Sequence, residues 1–143
     1  MDVIPKSDRR ARIAIIDNDP VFLRKLEDSI ESSGWEPCPS TDLTRAASFV
    51  ARSQPDLVIV DLGQGAERAA AWHALDVLKR TPETCGIPIV VCSAAARSLR
   101  TQARTLRQYG VEVLSKPANA KAVLRRVVAV LGRRQAPGAS HRR

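Results

Sequence analysis

The clearest indication of the fold is the segment Pro55-Asp-Leu-Val-Ile-Val-Asp-Leu62. In it an unbroken apolar run, Leu57–Val60, is followed directly by the aspartate Asp61. A run of this length, rich in β-branched residues, is typical of a strand that is covered on both faces of a sheet. Two similar runs, Ile13–Ile16 and Ile87–Cys92, precede and follow it in the chain. Together the three runs predict the buried strands of one parallel sheet.

The stretches between these runs predict the helices of an α/β fold, a doubly wound (βα)5 sheet with helices on both faces. Asp19 and Pro20 supply an N-cap and a first-turn proline, and Gly34 stands where a helix C-cap glycine belongs. The predicted helices are Val21–Ser33, Thr41–Arg52, Ala66–Arg80, Ala94–Tyr109, and a last one from the cap Asn119 to just before Gly132. Two weaker strands, Trp35–Ser40 and Val111–Leu114, complete the five units. Trp35–Ser40 is an expected edge strand, because it contains two prolines.

Length and composition indicate one globular domain. The chain has 143 residues, of which 44% are hydrophobic and 27% charged, which is ordinary for a domain with a full core. We expect a flexible segment at 1–10, the domain at 11–132 with no output domain, and a basic disordered tail at 133–143. No apolar run approaches the roughly 20 residues that span a bilayer, and the first residues lack the apolar stretch of a secretory signal. We therefore expect a cytoplasmic protein that does not contact membranes.

The three cysteines, Cys38, Cys85 and Cys92, argue against two classes of site. An odd count without a Cys-x-x-Cys pair excludes a disulfide framework and a typical zinc site. Cys92 lies in an apolar run, where a thiol behaves as a small hydrophobe, and we expect it to be buried.

Polar residues follow the predicted strands at the points where the strands end. They are Asp17 with Asn18 and Asp19, then Asp61, Ser93 and Lys116. In open α/β sheets, ligands bind beyond the carboxyl ends of the strands, so these residues are expected at one rim. Carboxylates, a hydroxyl and a lysine suit Mg²⁺-assisted phosphoryl transfer, because Mg²⁺ prefers oxygen ligands and the lysine pairs with the phosphoryl group.

The segments that carry these residues resemble the four signatures of response-regulator receiver domains, in the family's order and near its spacing. They are Ile13–Pro20, Pro55–Leu62, Ile87–Ala94 and Leu114–Pro117, and the resemblance covers roughly Ala11 to Leu131. It implies a chemotaxis-type receiver with the flavodoxin-like strand order 2-1-3-4-5. It also implies that Asp61 is the phosphoacceptor, that Ser93 follows the phosphoryl group, and that Lys116, ahead of a cis proline, forms a salt bridge with it. The implied Mg²⁺ ligands are Asp17, Asn18, Asp61 and the backbone carbonyl of Gly63.

Three positions depart from the family pattern. Asn18 stands where the family has a second acid, so we expect Mg²⁺ to bind weakly. The loop Leu62–Arg68 lacks the proline and the Asp-Gly pair that usually follow the phosphoacceptor. Val113 occupies the position of the aromatic switch, three residues before Lys116, so a ring rotation cannot report phosphorylation there.

A basic stripe marks the predicted helix Ala94–Tyr109. Arg97, Arg100, Arg104 and Arg107 are spaced to share one face, and Lys121 and Arg125 extend it on the last helix. The resemblance implies that 94–131 is the signalling face, which predicts docking of an acidic downstream protein. A solvated face is the plainer interpretation. Aromatic residues, at 3%, are too few for base-stacking platforms, and His73, beside Trp72, is interpreted as structural or exposed.

The main hypothesis is a phosphorylation-dependent switch of a two-component system, with a histidine kinase or phosphotransfer protein as donor and a partner protein as reader. It is no enzyme beyond its own phosphotransfer and autodephosphorylation. One alternative is a pseudo-receiver that docks partners without phosphorylation, and another is nucleic-acid binding through the stripe and tail. A haloacid-dehalogenase-like phosphatase, suggested by Asp17–Val21, is excluded because no acid follows Glu112 to complete its Mg²⁺ site.

Overall fold

The fold is a five-stranded parallel sheet with the strand order β2-β1-β3-β4-β5. The computed structural model describes residues 10–62, 66–93, 104, 106–115 and 119–135. The strands are β1 (Arg12–Ile16), β2 (Glu36–Ser40), β3 (Leu57–Asp61), β4 (Ile89–Ser93) and β5 (Glu112–Ser115). The predicted sheet and its order are confirmed.

Helices cover both faces of the sheet. They are α1 (Pro20–Ser32), α2 (Ala46–Ser53), α3 (Ala66–Arg80), α4 (described at 104 and 106–109) and α5 (Ala120–Gln135). Because strand side chains alternate, Ile13 and Ile15 pack with α1 and α5, whereas Ala14 and Ile16 pack with α2, α3 and α4. Each face therefore has its own apolar layer, as expected for unbroken apolar strands. Within the described ranges no helix is long and apolar enough to cross a membrane.

The signals that begin and end α1 act as predicted. The Asp19 side chain accepts hydrogen bonds from the N–H groups of Val21 and Phe22, at 3.1 and 3.4 Å. At the other end, the N–H groups of Gly34 and Trp35 donate to the carbonyls of Glu31 and Ile30, and Gly34 has a φ of 89°. This pair of bonds is a Schellman motif, which needs the left-handed conformation that glycine adopts without strain.

Two helix boundaries were predicted wrongly. The expected helix Thr41–Arg52 begins as a 3-10 turn at Leu43–Arg45 and becomes α-helical only at Ala46. The Asp42 carboxylate caps the turn by accepting from the Thr44 hydroxyl and N–H, and the hydroxyl bond lowers the pKa of Asp42. This Asp–Thr turn satisfies the first donors locally, so the α-helix starts later.

The last helix runs through Gln135 instead of ending before Gly132. A glycine inside a helix costs only about 1 kcal/mol relative to alanine, and Arg133 and Arg134 are good helix formers near a negative helix end. The remaining residues of the predicted tail, 136–143, and most of the predicted segment 1–10 lie outside the described residues.

The edge strand β2 turns both of its prolines outward. The N–H of Glu36 donates to the carbonyl of Ala11 at 2.8 Å, and the carbonyl of Ser40 accepts from Asp17 N–H at 3.1 Å. Residues 36 and 40 thus face β1, and the alternating residues Pro37 and Pro39 face away from it. Prolines are tolerated there because no neighbour needs their missing N–H.

The amino ends of β1 and β3 are joined by paired hydrogen bonds. The N–H of Arg12 donates to an Asp56 carboxylate oxygen at 2.8 Å, and the N–H of Asp56 donates to the Arg12 carbonyl at 2.8 Å. The Arg12 guanidinium reaches Glu36 at 3.2 Å and the Ser53 carbonyl at 3.1 Å. One arginine therefore links β1 to β2 and to the end of α2.

Candidate functional site

Two buried aspartates lie level with one another on neighbouring strands, at the carboxyl end of the sheet. Ile16 pairs with Val60 in the β1–β3 register, so Asp17, the residue after β1, is level with Asp61, the last residue of β3. Neighbouring strands are about 4.8 Å apart, which brings the two backbones within that range of one another. Asp17 is 3% exposed and Asp61 9%. The predicted adjacency of these acids is present in the structure.

The backbone after β1 fixes the Asp17 side chain. The Asp17 N–H donates to the carbonyl of Ser40, and its Oδ1 accepts from the N–H of Asp19 at 2.9 Å. Asp19 directs its own carboxylate to the start of α1, which confirms its predicted role as an N-cap. Asn18, between the two, is exposed to solvent. The first acid is thus held in place, and the neighbouring amide is open to the rim.

The β4 and β5 side of the rim continues the same row. Asp61 pairs with Cys92 in the β3–β4 register, and the N–H of Leu62 donates to the Cys92 carbonyl at 2.9 Å. Ser93, paired with Ser115 of β5, stands one residue further toward the rim. The structure describes the backbone of Ser93 but not its side chain. It does not describe Gly63, Lys116 or Pro117. Cys92 is 1% exposed, as predicted.

The oxygen donors at this rim are few. In the part of the chain that the structure describes, no group of three or more His, Cys, Asp or Glu residues could hold a metal ion. Asp17, Asp61 and Asn18 carry hard oxygen donors, the type that Mg²⁺ takes together with retained waters. This donor set carries one negative charge fewer than it would with an acid at position 18.

The described part of the basic stripe lies on the surface. Arg104 and Arg107 are exposed on α4, and Leu106 between them is fully buried. Lys121 and Arg125 are exposed on α5, whereas Arg97 and Arg100 lie outside the described residues.

Two further surface assignments concern β5 and α3. Glu112, the first residue of β5, accepts from Arg126 of α5 at 3.1 Å, which neutralises an acid near this face. Val113 is partly buried, and His73 is exposed, in line with its expected lack of a role.

Sequence reasoning missed a polar cluster that joins α3 to α4. The Tyr109 hydroxyl donates to Asp76 Oδ1 at 3.0 Å, and Arg80 Nε donates to the same oxygen at 2.9 Å. Burial, and then the bond to Asp76, raise the pKa of Tyr109. The spacing of Asp76 and Arg80 is a recognisable helical ion pair, but nothing local connects either residue to Tyr109. Only the fold brings them together.

No protein-family model matches the chain, but it is similar to several curated proteins, among them a response regulator. It is 25% identical over 122 residues to the DNA-binding dual master transcriptional regulator RpaA of Synechocystis, covering 85% of this chain and 49% of that protein. It is 26% identical to the DNA-binding response regulator MtrA of Mycolicibacterium smegmatis, with coverages of 88% and 53%. The chain thus spans about half the length of these two relatives. Protein PilH of Pseudomonas aeruginosa, 24% identical, is matched over 85% of this chain and 98% of its own length.

Solved structures agree with the relatives. A two-component response regulator from Clostridium difficile superposes with a TM-score of 0.75 at 21% identity. The match covers 89% of this chain and 100% of that chain. A response regulator from Desulfuromonas acetoxidans gives a TM-score of 0.71 at 22% identity, with coverages of 85% and 96%. The chain has the fold of a response-regulator receiver domain. Receiver domains are regulators of two-component signalling rather than typical enzymes. In this chain the two acids Asp17 and Asp61 lie at the strand ends, where folds of this kind bind their ligands.

Proposed function

We propose that this receiver is a phosphorylation-dependent signalling switch in which Asp61 accepts a phosphoryl group. The observation that carries the proposal is a buried carboxylate at the carboxyl end of the central strand β3, level with a second buried carboxylate, Asp17. Two neighbouring carboxylates repel one another when both are ionised. The arrangement becomes useful once a cation is bound, because the cation offsets the negative charge of the carboxylates and of an incoming phosphoryl group.

The transfer step follows from the chemistry of a carboxylate. A phosphohistidine on a histidine kinase or a phosphotransfer protein is the donor. A carboxylate oxygen of Asp61 attacks the phosphorus, the P–N bond breaks, and the histidine nitrogen keeps the electron pair and takes a proton. The product is an acyl phosphate on Asp61. Ser93 donates a hydrogen bond to the phosphoryl oxygens and Lys116 pairs with their charge.

Asp17, Asn18, Asp61 and the backbone carbonyl of Gly63 would hold Mg²⁺. The ion, when bound, neutralises charge on the carboxylates and on the transferred phosphoryl group. Weak binding is expected, because Asn18 contributes an amide oxygen without a charge. Asp17, held by the N–H of Asp19, keeps its carboxylate oriented before any ion arrives.

The downstream reader is a protein with an acidic surface. Two observations support this part of the proposal, the exposure of Arg104 and Arg107 on α4 and that of Lys121 and Arg125 on α5. We place this exchange in the cytoplasm, where histidine kinases donate their phosphoryl groups.

Intact mass spectrometry tests the proposal. The full chain is incubated with Mg²⁺ and phosphoramidate, and the wild type is compared with Asp61→Asn and with Asp28→Asn, a change at an exposed acid of α1. We expect one phosphoryl adduct on the wild type and on Asp28→Asn, and none on Asp61→Asn. An adduct that persists on Asp61→Asn would contradict the assignment of the phosphoacceptor.

A phosphorylation-independent docking module is the second candidate, favoured by Asn18 and by Val113 in place of an aromatic switch. Absence of any adduct, together with binding of a partner by the unmodified chain, would select it. Nucleic-acid binding through the basic stripe is a weaker candidate. The names of RpaA and MtrA describe those proteins as DNA-binding, but this chain matches about half of each. Steep salt dependence of nucleic-acid binding would support it.

A further inference from the structure

The far ends of α3 and α4 are tied together by Tyr109. Its hydroxyl donates to Asp76 of α3, and its ring lies 6.4 Å from the ring of Trp72, centroid to centroid, at 42°. Leu106, one turn earlier in α4, is fully buried. The N–H groups of Gly110 and Val111 donate to the carbonyls of Arg107 and Leu106, a second Schellman motif that sets the direction in which Tyr109 projects.

Both helices follow the candidate site along the chain. α3 starts at Ala66, soon after Asp61, and the described part of α4 follows Ser93 in the sequence. Asp76 lies ten residues along α3, about 15 Å from its start at 1.5 Å per residue. A contact between α3 and the described end of α4 is sensitive to any displacement of one helix against the other.

A cavity and an unsatisfied buried donor lie close to this contact. A cavity of about 460 Å³ is lined by Asp76, Lys79, Arg80, Cys85, Gln108 and Tyr109. The indole N–H of Trp72 is buried and has no hydrogen-bond partner among the residues that the structure describes. A buried donor without an acceptor disfavours the arrangement that buries it. The cavity offers the tyrosine ring a place to move.

We propose that the bond from Tyr109 to Asp76 is a latch that holds α4 against α3 in the unmodified protein, and that phosphorylation of Asp61 releases it. The proposal rests on the proposed function. It assigns to Tyr109, in the helix before β5, the reporting role that Val113 cannot perform. Releasing the latch frees α4 to move against α3, and with it the exposed Arg104 and Arg107.

Fluorine NMR reads the latch directly, because Tyr109 is the single tyrosine of the chain. Protein labelled with 3-fluorotyrosine therefore gives one resonance. Asp76→Ala, which removes the acceptor, supplies the position of the released state, and Asp28→Ala on α1, on the opposite face of the sheet, is the matched control. We expect Mg²⁺ and phosphoramidate to move the wild-type resonance toward the Asp76→Ala position, in samples whose adduct is verified by intact mass.

The coupling is reciprocal for binding free energies, so the latch also affects the affinity of the site for a phosphoryl mimic. Tyr109→Phe keeps the ring and removes the hydroxyl, and we expect it to bind fluoroberyllate, in the presence of Mg²⁺, roughly threefold or more tightly than the wild type. An adduct with an unmoved resonance, or an unchanged fluoroberyllate affinity in Tyr109→Phe, would overturn the latch while the proposed function stands. If the wild type forms no adduct, the proposed function and the coupling both fail, and intact mass separates that outcome from the first.

Discussion

Strand β3 has an aspartate at each end, and the two aspartates have different surroundings. Asp56, just before the strand, exchanges two hydrogen bonds of 2.8 Å with the backbone of Arg12 and so joins β3 to β1. Asp61, the last residue of the strand, is buried level with Asp17. An acid at the amino end of a parallel sheet meets backbone partners and stabilises the fold. At the carboxyl end, Asp61 is level with a second acid, Asp17, and we propose a chemical role for it.

Asp56→Ala is expected to have the largest effect on stability. Removing the carboxylate leaves the Arg12 N–H without its acceptor, and we expect the free energy of unfolding to fall by about 2 kcal/mol. Urea denaturation measures the loss. The rate of adduct formation at Asp61 should stay unchanged, and a comparable loss in that rate would mean that the two ends of β3 are not independent.

The next prediction concerns position 18 at the carboxyl end of the sheet, where an asparagine replaces the acid that the family has. Asn18→Asp adds a charged oxygen ligand beside Asp17 and Asp61, and we expect Mg²⁺ to bind about three- to tenfold more tightly, as measured by calorimetry. Without Mg²⁺ the same change should lower stability, because a third carboxylate joins two others. Equal Mg²⁺ affinity in the two proteins would argue against a metal site at this rim.

Asp61→Asn should affect stability less than Asp56→Ala, and in the opposite sense. It removes one of two neighbouring buried charges and keeps the shape of the side chain. We expect the free energy of unfolding without Mg²⁺ to stay constant or to rise by up to about 1 kcal/mol. A loss as large as that of Asp56→Ala would show that Asp61 has a structural role after all.

The smallest effect concerns Tyr109 at alkaline pH. The pKa of Tyr109 is raised above its ordinary value of 10.0, first by burial and then by the bond to Asp76. The folded state therefore holds the phenol proton more tightly than the unfolded state, and the resulting stability is complete below pH 10.0 and declines as pH rises through the raised pKa. We expect the stability difference between wild type and Tyr109→Phe to shrink above about pH 10, as followed by urea denaturation at several pH values. A difference that stays constant there would contradict this assignment.

The apolar strands and the caps of α1 were predictable because their signals are local. Four apolar residues before Asp61 and the pair Asp19-Pro20 need no tertiary information. The placement of Asp17 beside Asp61 followed from a general rule about parallel sheets. The roles of Ser93 and Lys116 stay predictions, since the side chain of the one and the whole of the other lie outside the described residues.

The sequence did not predict two helix boundaries, where local interactions compete, or one contact between residues that are far apart in the chain. The Asp42–Thr44 bonds compete with the first turn of α2 and delay its start to Ala46. The helix α5 tolerates Gly132, since one glycine costs less than the turns around it contribute. Tyr109 and Asp76 are 33 residues apart in sequence, and only the packing of α4 on α3 brings them into contact.

The outward-facing prolines of β2 affect whether two molecules of this chain can associate edge to edge. An exposed sheet edge normally offers both N–H and carbonyl groups to a strand of a second molecule. Both outward-facing residues of β2, Pro37 and Pro39, lack the N–H, so an incoming strand cannot complete the ladder on that side. Sheet-to-sheet growth, the first step toward aggregates, is blocked at this edge. Self-association there would have to proceed through helical surfaces instead.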